Sequence, residues 1–470
     1  MSIFTPFRRT ADAPAAPGGD LAVLRSRLTG DLARPGEPGY ALATPWNVAV
    51  AVSPRAVVAA ADASDVVEVV RFAGDHGLRV AVQRTGHGAV AVGGEDVLLV
   101  HTGRLDAVHV DPAARRARVG AGAIWQQVLD AAAPHGLAPL VGSAPGVGVA
   151  GFLTGGGVGP FVRTFGVSSD HVTAFEVVTG DGRLLRATPD ENPEVFWGLR
   201  GGKGTLGIVC AVEIELLELR EIQGGALYFD GADARAVLHA WSSWSRDLPE
   251  HANTSIALLQ LPPLPQVPPP LAGRLTVAVR FTSTADAAAA VSLLAPLRAV
   301  ADPIIDTVAT MPYAAIGAVH ADPVDPMPTH EDAALLRELP LEAVDALLAA
   351  AGPGSGSPQL VVELRLLGGA YARPAEHPSA FCQRDAAYSL LVIGALAPEI
   401  AAIVPGHAAG VVGALEPWAT GGLLPNFAPA ATADRVARSY DEDTRTWLAA
   451  LADRHDPAGV LRIGQVVRSA

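Results

Sequence analysis

The sequence predicts an α+β fold, and three observations carry that expectation. Apolar β-type runs alternate with alanine-rich helical stretches through the first half. "VTAFEVVTGDGRLLRAT" places Gly180-Asp181-Gly182 between apolar arms, the chemistry of a hairpin. Beyond residue 220 the composition shifts: a proline-dense segment, Leu261 to Gly273, is followed by runs that read as strands of an antiparallel sheet with helices between them.

Taken in order, "SDVVEVVRFAGDHG" is a helix, with Ser64 as its N-cap, apolar spacing of three and four, and a terminal glycine. "LRVAVQ" and "DVLLVHT" are strands flanking a glycine loop. "RARVGAGAIWQQVLDAAAPHGLAPL" repeats strand, glycine turn and helix, ending at Pro134-His135-Gly136, and "GTLGIVCAVEIELLEL" is a long alternating strand. "RLTVAVRFTST", "LVVELRLLGGA" and "AYSLLVIGAL" are sheet strands, whereas "DPVDPMPTHEDA" is a loop. "SYDEDTRTWLAALADRHDPAGVLRIGQVV" is a helix, a turn at Asp456-Pro457 and an extended tail.

Composition excludes several classes. A chain of 470 residues is long enough for two or three domains. The net charge of -14, with lysine nearly absent and no basic stripe, excludes nucleic acid as a partner. Two cysteines far apart, Cys210 and Cys382, exclude a disulfide scaffold and a cysteine-rich zinc site; both are expected to be buried thiols, in strand and helix contexts. No apolar run reaches the roughly 18 residues that span a bilayer. The first 36 residues read as a mobile leader with no apolar export segment, so a reduced cytoplasmic location is expected.

Two segments rich in glycine, "RTGHGAVAVGG" and "GSAPGVGVAGFLTGGGVGPFVRTFG", need a common explanation. Glycine lets backbone amides approach an anion closely, and a dinucleotide pyrophosphate suits such amides. Neither segment fits a nucleotide fingerprint in its required context, and turns in a β-rich domain account for glycine content equally well. His87 by itself reads as a satisfied loop residue. A zinc role fails because His101, His109 and His135 show no ligand-like spacing with it.

The order of segments adds to this reading. "PWNVAVAVSPRAVVAAADASDVVEVVRFAGDHGLRVAVQRTGHGA" is followed by "GAGAIWQQVL", "HGLAPLVGSAPGVGVAGFLTGGGVG", "RTFGVSSDHVTAFEVVTGDG" and "FWGLRGGKGTLGIVCAVEIEL". "TGGLLPNF" and "HDPAGVLRIGQ" close the chain. This succession resembles flavoproteins of the vanillyl-alcohol oxidase/p-cresol methylhydroxylase fold, and more narrowly the berberine-bridge-enzyme-like branch. The resemblance implies a two-part FAD-binding domain, residues 37–220 and 411–470, with an inserted α/β substrate domain at 221–410, an antiparallel sheet flanked by helices. It implies FAD-contacting residues at Arg84, Thr85, Gly86, His87, Gly88 and Ala89, and at Val147, Gly148, Gly151, Gly155, Gly156 and Gly157. Val209 would lie along the adenine half, with Asn426 and Gln465 near the flavin. It implies a covalent 8α-histidyl bond at His87 and no second bond, since Ala144 stands where some relatives have cysteine. Val147 matches an oxygen-permissive position, which favours an oxidase with O2 as acceptor and hydrogen peroxide as product.

The same resemblance raises a problem. Relatives carry a tyrosine two residues before the "NF" pair, and here that residue is Leu424, which takes no proton. Replacement candidates come from the inserted domain: Tyr388, Arg384 and Tyr371, with His320, His377 and Asp385 behind them. Trp197 is expected in the core and Lys203 on the rim. The function expected is an FAD-dependent oxidoreductase acting on a small alcohol, amine or sugar-like substrate. A flavin-binding protein that has lost turnover is the alternative, and a non-flavin nucleotide enzyme a third.

Overall fold

The computed structural model describes residues 19–469. Residues 1–18 of the expected leader lie outside the described residues, and the remainder of that stretch is structured. Helix α1 (Leu21–Arg27) buries Leu21 and Leu24, and strand β1 (Asp31–Ala33) pairs antiparallel with β2 (Val52–Ala59). The Asp65 carboxylate explains part of this order. It accepts the amides of Thr29, Gly30 and Ala61 at 2.8, 2.9 and 2.7 Å, a local tie that no periodicity reveals.

The first sheet is completed by β3 (Arg79–Gln83) and β4 (Val92–His101), both β2 and β3 running parallel to β4. A parallel return needs a crossover, and α2 (Ala63–Asp75) supplies it. Its N-cap is Asp62 and not Ser64: the Asp62 side chain accepts from the amides of both Ser64 and Asp65. A second, antiparallel sheet orders β5 (Val108–Asp111), β6 (Arg116–Gly120), β9 (Ile208–Glu215), β7 (Val172–Val178) and β8 (Leu184–Ala187). The expected glycine hairpin is β7–β8. Helix α3 (Trp125–Ala132) seals this sheet with a fully buried Trp125.

The third sheet has eight antiparallel strands. Its long members are β10 (Glu221–Asp230), β11 (Ala252–Gln260), β12 (Leu275–Ser283), β13 (Thr329–Leu336), β14 (Val361–Leu366) and β15 (Tyr388–Ala395). The spatial order is β10-β12-β11-β14-β15-β13. The segment expected as one loop is loop only to Pro328. From Thr329 its chain is β13, because an eight-residue register with β15 satisfies the backbone whatever the local composition.

Alternation splits this sheet into unlike faces. Leu227, Phe229, Ile256, Val279, Leu364, Leu390 and Val392 pack under helices α4 (Ala234–Ser245), α5 (Ala287–Arg298), α6 (Leu341–Ala351) and α7 (Val404–Ala414). The register puts Ser255, Arg280, Glu331, Glu363, Arg365, Leu391 and Ile393 on the other face, toward the first two sheets.

Arg163 ties that face to the glycine-rich segment. Its guanidinium is buried and donates to the carbonyls of Ala252, Leu367 and Leu248 at 3.1, 2.6 and 2.8 Å. The final helix α8 (Glu442–His455) precedes a tail in which Arg468 binds Asp456 at 3.0 Å. Among the described residues no helix is long and apolar enough to cross a membrane.

Candidate active site

The chain leaves β3 at Gln83, turns through Arg84–Ala89 and returns as β4. Gly86 makes the turn with φ +76°, and a Cβ there would sit 2.5 Å from Pro45. The amides of Thr85, Gly86, His87 and Gly88 have no hydrogen-bond partner among the described residues. Ala89 differs from its expected role: its amide donates to Gly86 at 3.2 Å inside the turn. Arg84 anchors the loop by donating from Nε to the Gly122 carbonyl. Gly148 faces it, with space for a Cβ only 3.3 Å from Arg84, so the two glycine segments adjoin. A Cβ on Gly88, Gly146 or Gly151 would meet nothing within 4 Å. Free amides beside open space are what a pyrophosphate requires, so these residues fit FAD.

His87 is not fully satisfied. Nδ1 lies 2.8 Å from Thr85 Oγ1, and Trp46 stacks on the ring at 4.8 Å and 18°, while Nε2 has no partner among the described residues. Desolvation, opposed by Asp322, pushes the imidazole down to about 4, so the ring is neutral at pH 7.

Gly155, Gly156 and Gly157 are close-packing positions. A Cβ on them would fall 2.0 Å from Asn426, 2.3 Å from Phe381 and 2.6 Å from Phe152. The Asn426 amide donates to Phe152 at 2.8 Å and its Oδ1 accepts from Lys203. Lys203 therefore does not sit free on the rim. Its backbone is left-handed (φ +56°), and desolvation together with the Arg435 charge pushes its amine down to about 7. Val147 packs against the Trp125 core, Val209 is buried in β9, and Gln465 is partly exposed beside Gly464.

The three proposed proton-handling residues all have their polar groups engaged. Tyr388 points to the helix-covered face, against Trp241, with its hydroxyl 3.3 Å from Ser245; the parity of β15 puts Ser389, not Tyr388, on the open face. Arg384 is held by Asp170 at 2.7 Å, and not by its neighbour Asp385. Tyr371 is fully buried and donates to the Gln383 carbonyl. It packs in the same apolar cluster as Leu424, Phe381 and Leu335. His377 meets Phe196 edge-on. Cys210 is a buried strand thiol as expected, but Cys382 is only partly buried and lies outside any helix.

What the open face does carry is a buried charged group that sequence reasoning passed over, His320 excepted. The Glu363 carboxylate accepts from Ser255 at 2.6 Å, Arg280 at 2.8 Å and Arg365 at 3.2 Å. His320 Nε2 lies 3.3 Å from both Glu363 and Arg365. Arg365 reaches back to the Val158 carbonyl at 3.4 Å and lies 5.8 Å from the Phe427 ring. The signal was present: charges two apart in the apolar strand "VVELRL" must share one face.

Known proteins share parts of this sequence and its fold. Residues 54–188 match the family described as FAD binding domain. The chain is 32% identical over 234 residues to (R)-6-hydroxynicotine oxidase of Paenarthrobacter nicotinovorans, covering 49% of this chain and 48% of that one. The match thus spans about half the length of that relative. The crystal structure of 6-hydroxy-D-nicotine oxidase from Arthrobacter nicotinovorans superposes with TM-score 0.79 at 25% identity, over 94% of this chain and 98% of that one. Physcomitrella patens BBE-like 1 shares the fold, with TM-score 0.81 at 18% identity over 96% and 100%. The fold, with its FAD binding domain, is that of flavoproteins of the p-cresol methylhydroxylase type. Within that class the chain resembles FAD-linked oxidoreductases, and it shares its fold with the berberine-bridge-enzyme-like proteins.

Proposed function

We propose that this protein is an oxidase carrying a single FAD tethered to His87, which removes two electrons from a small amine and passes them to O2, releasing hydrogen peroxide. The observation that carries the tether is the state of His87. Its ring is neutral, Nδ1 is occupied by Thr85, and Nε2 is the ring nitrogen left to form a bond. The amides of Thr85, Gly86, His87 and Gly88 would hold the pyrophosphate, with the second glycine segment, Asn426 and Gln465 along the rest. FAD, when bound, supplies the two-electron oxidant.

An amine suits this site better than an alcohol. Leu424 is sealed in an apolar cluster, and the hydroxyls of Tyr371 and Tyr388 are taken up by the Gln383 carbonyl and Ser245. Without the tyrosine as base, a neutral amine still offers its own lone pair, whereas an alcohol must lose a proton. The nicotine-oxidising relative points the same way. In denaturing acid the purified protein should keep its yellow colour in the pellet, and His87→Ala should release it to the supernatant. A colourless wild-type pellet refutes the tether. Anaerobic bleaching by amines, with peroxide on admitting O2, tests turnover; no bleaching across a broad amine panel favours a flavin-binding protein without turnover, the reading that Leu424 also supports.

A further inference from the structure

The cluster on the open sheet face does not balance. Arg280 and Arg365 contribute two guanidinium charges against the single carboxylate of Glu363, and all three side chains are no more than 7% exposed. No second carboxylate pairs with either arginine among the described residues. Two of the buried nitrogens here, Arg280 Nε and His320 Nδ1, have no partner. Arg280, Arg365 and His320, with Gly159 and Pro160, line a cavity whose free volume of about 10 Å³ holds roughly one water, or one oxygen of a larger group. Unpaired buried charge is costly, and structures keep it where a ligand compensates it.

The surroundings indicate what that ligand looks like. From Glu363 toward Val361 the open face becomes apolar, with Ala257, Leu259 and Ala278 packed together and Leu391 and Ile393 only partly covered. We infer that this face is a subsite for a carboxylate-bearing molecule with an apolar body: the carboxylate takes Arg280 and Arg365, and the body lies over Val361, Leu391 and Ile393. This inference rests on the proposed function, with the inserted domain supplying the substrate site, and it narrows the proposed amine to one that also bears an acid group.

The test uses the purified holoprotein with phenylacetate and its neutral isostere phenylacetamide, read by thermal shift and by perturbation of the flavin absorbance. Phenylacetate should bind at least about tenfold more tightly, the scale of one charge-assisted contact, and should move the flavin spectrum. Arg280→Met should abolish that preference. Glu363→Gln, which raises the local positive charge, should tighten phenylacetate several-fold, a gain that a merely structural strut does not produce. It also serves as the decisive variant should Arg280→Met fail to fold. Equal binding of the two probes, or a preference that survives Arg280→Met, overturns the subsite. A charge-dependent thermal shift that leaves the flavin spectrum unmoved overturns its place beside the flavin. If the protein binds no flavin, the oxidase reading fails while the thermal preference still decides the anion site.

Discussion

Lys203 is the only lysine in a chain that otherwise uses arginine for every side-chain cation. It occupies a left-handed backbone position, donates to Asn426, and has its amine pushed from 10.5 down to about 7. The unfolded chain therefore binds a proton between pH 7 and 10.5 that the folded chain does not. Stability from this group must then rise with pH across that window. Each pH unit is worth at most about 1.4 kcal/mol, and the full shift about 5. Lys203 is not wholly sealed, so solvent screening reduces this to about 2 kcal/mol. Denaturation of wild type and Lys203→Met from pH 6.5 to 10 should give a difference that closes with rising pH. A direct check is available because no other lysine competes. The rate of acetylation at this one site, read by peptide mass, should titrate near neutrality. A midpoint near 10.5, or a stability difference flat in pH, would refute the desolvation argument.

Other substitutions test separate parts of the structure. Gly155→Ala puts a methyl 2.0 Å from the Asn426 carboxamide; displacing it should cost about 1–3 kcal/mol in denaturant and lower flavin occupancy. Tyr388→Phe should lose about 1 kcal/mol for the Ser245 contact and leave turnover unchanged, whereas a large fall in kcat would return Tyr388 to the chemistry. Arg163→Met removes three carbonyl contacts between the glycine-rich segment and the large sheet. It should cost at least about 3 kcal/mol and broaden the unfolding transition.

The candidate site was only partly legible in the sequence, for physical reasons that differ by residue. His87 by itself reads as a satisfied loop residue, and it was singled out only by the succession of motifs around it, which no one residue carries. The surroundings of Tyr388 and Arg384 were not legible, for another reason. Tyr388 enters a strand, a strand has two faces, and only the register against β14 decides which one it takes; Arg384 precedes that strand and is held by Asp170, 214 residues away. Lys203 was misjudged because exposure is a tertiary quantity; its partner Asn426 is 223 residues away. Asp65, which orders the supposed leader, is likewise invisible to a pattern of apolar spacing.

By itself the sequence determined the class of fold, the presence of an FAD binding domain and the absence of a tyrosine at Leu424. The fold class is written in the period of apolar residues, and the FAD binding domain in the succession of motifs by which the chain resembles known flavoproteins. Tertiary structure alone decided which charges share a buried face. Ser255, Arg280, Glu363 and Arg365 come from three strands and meet because sheet pairing stacks them in register. Their unbalanced charge exists only once those strands are joined.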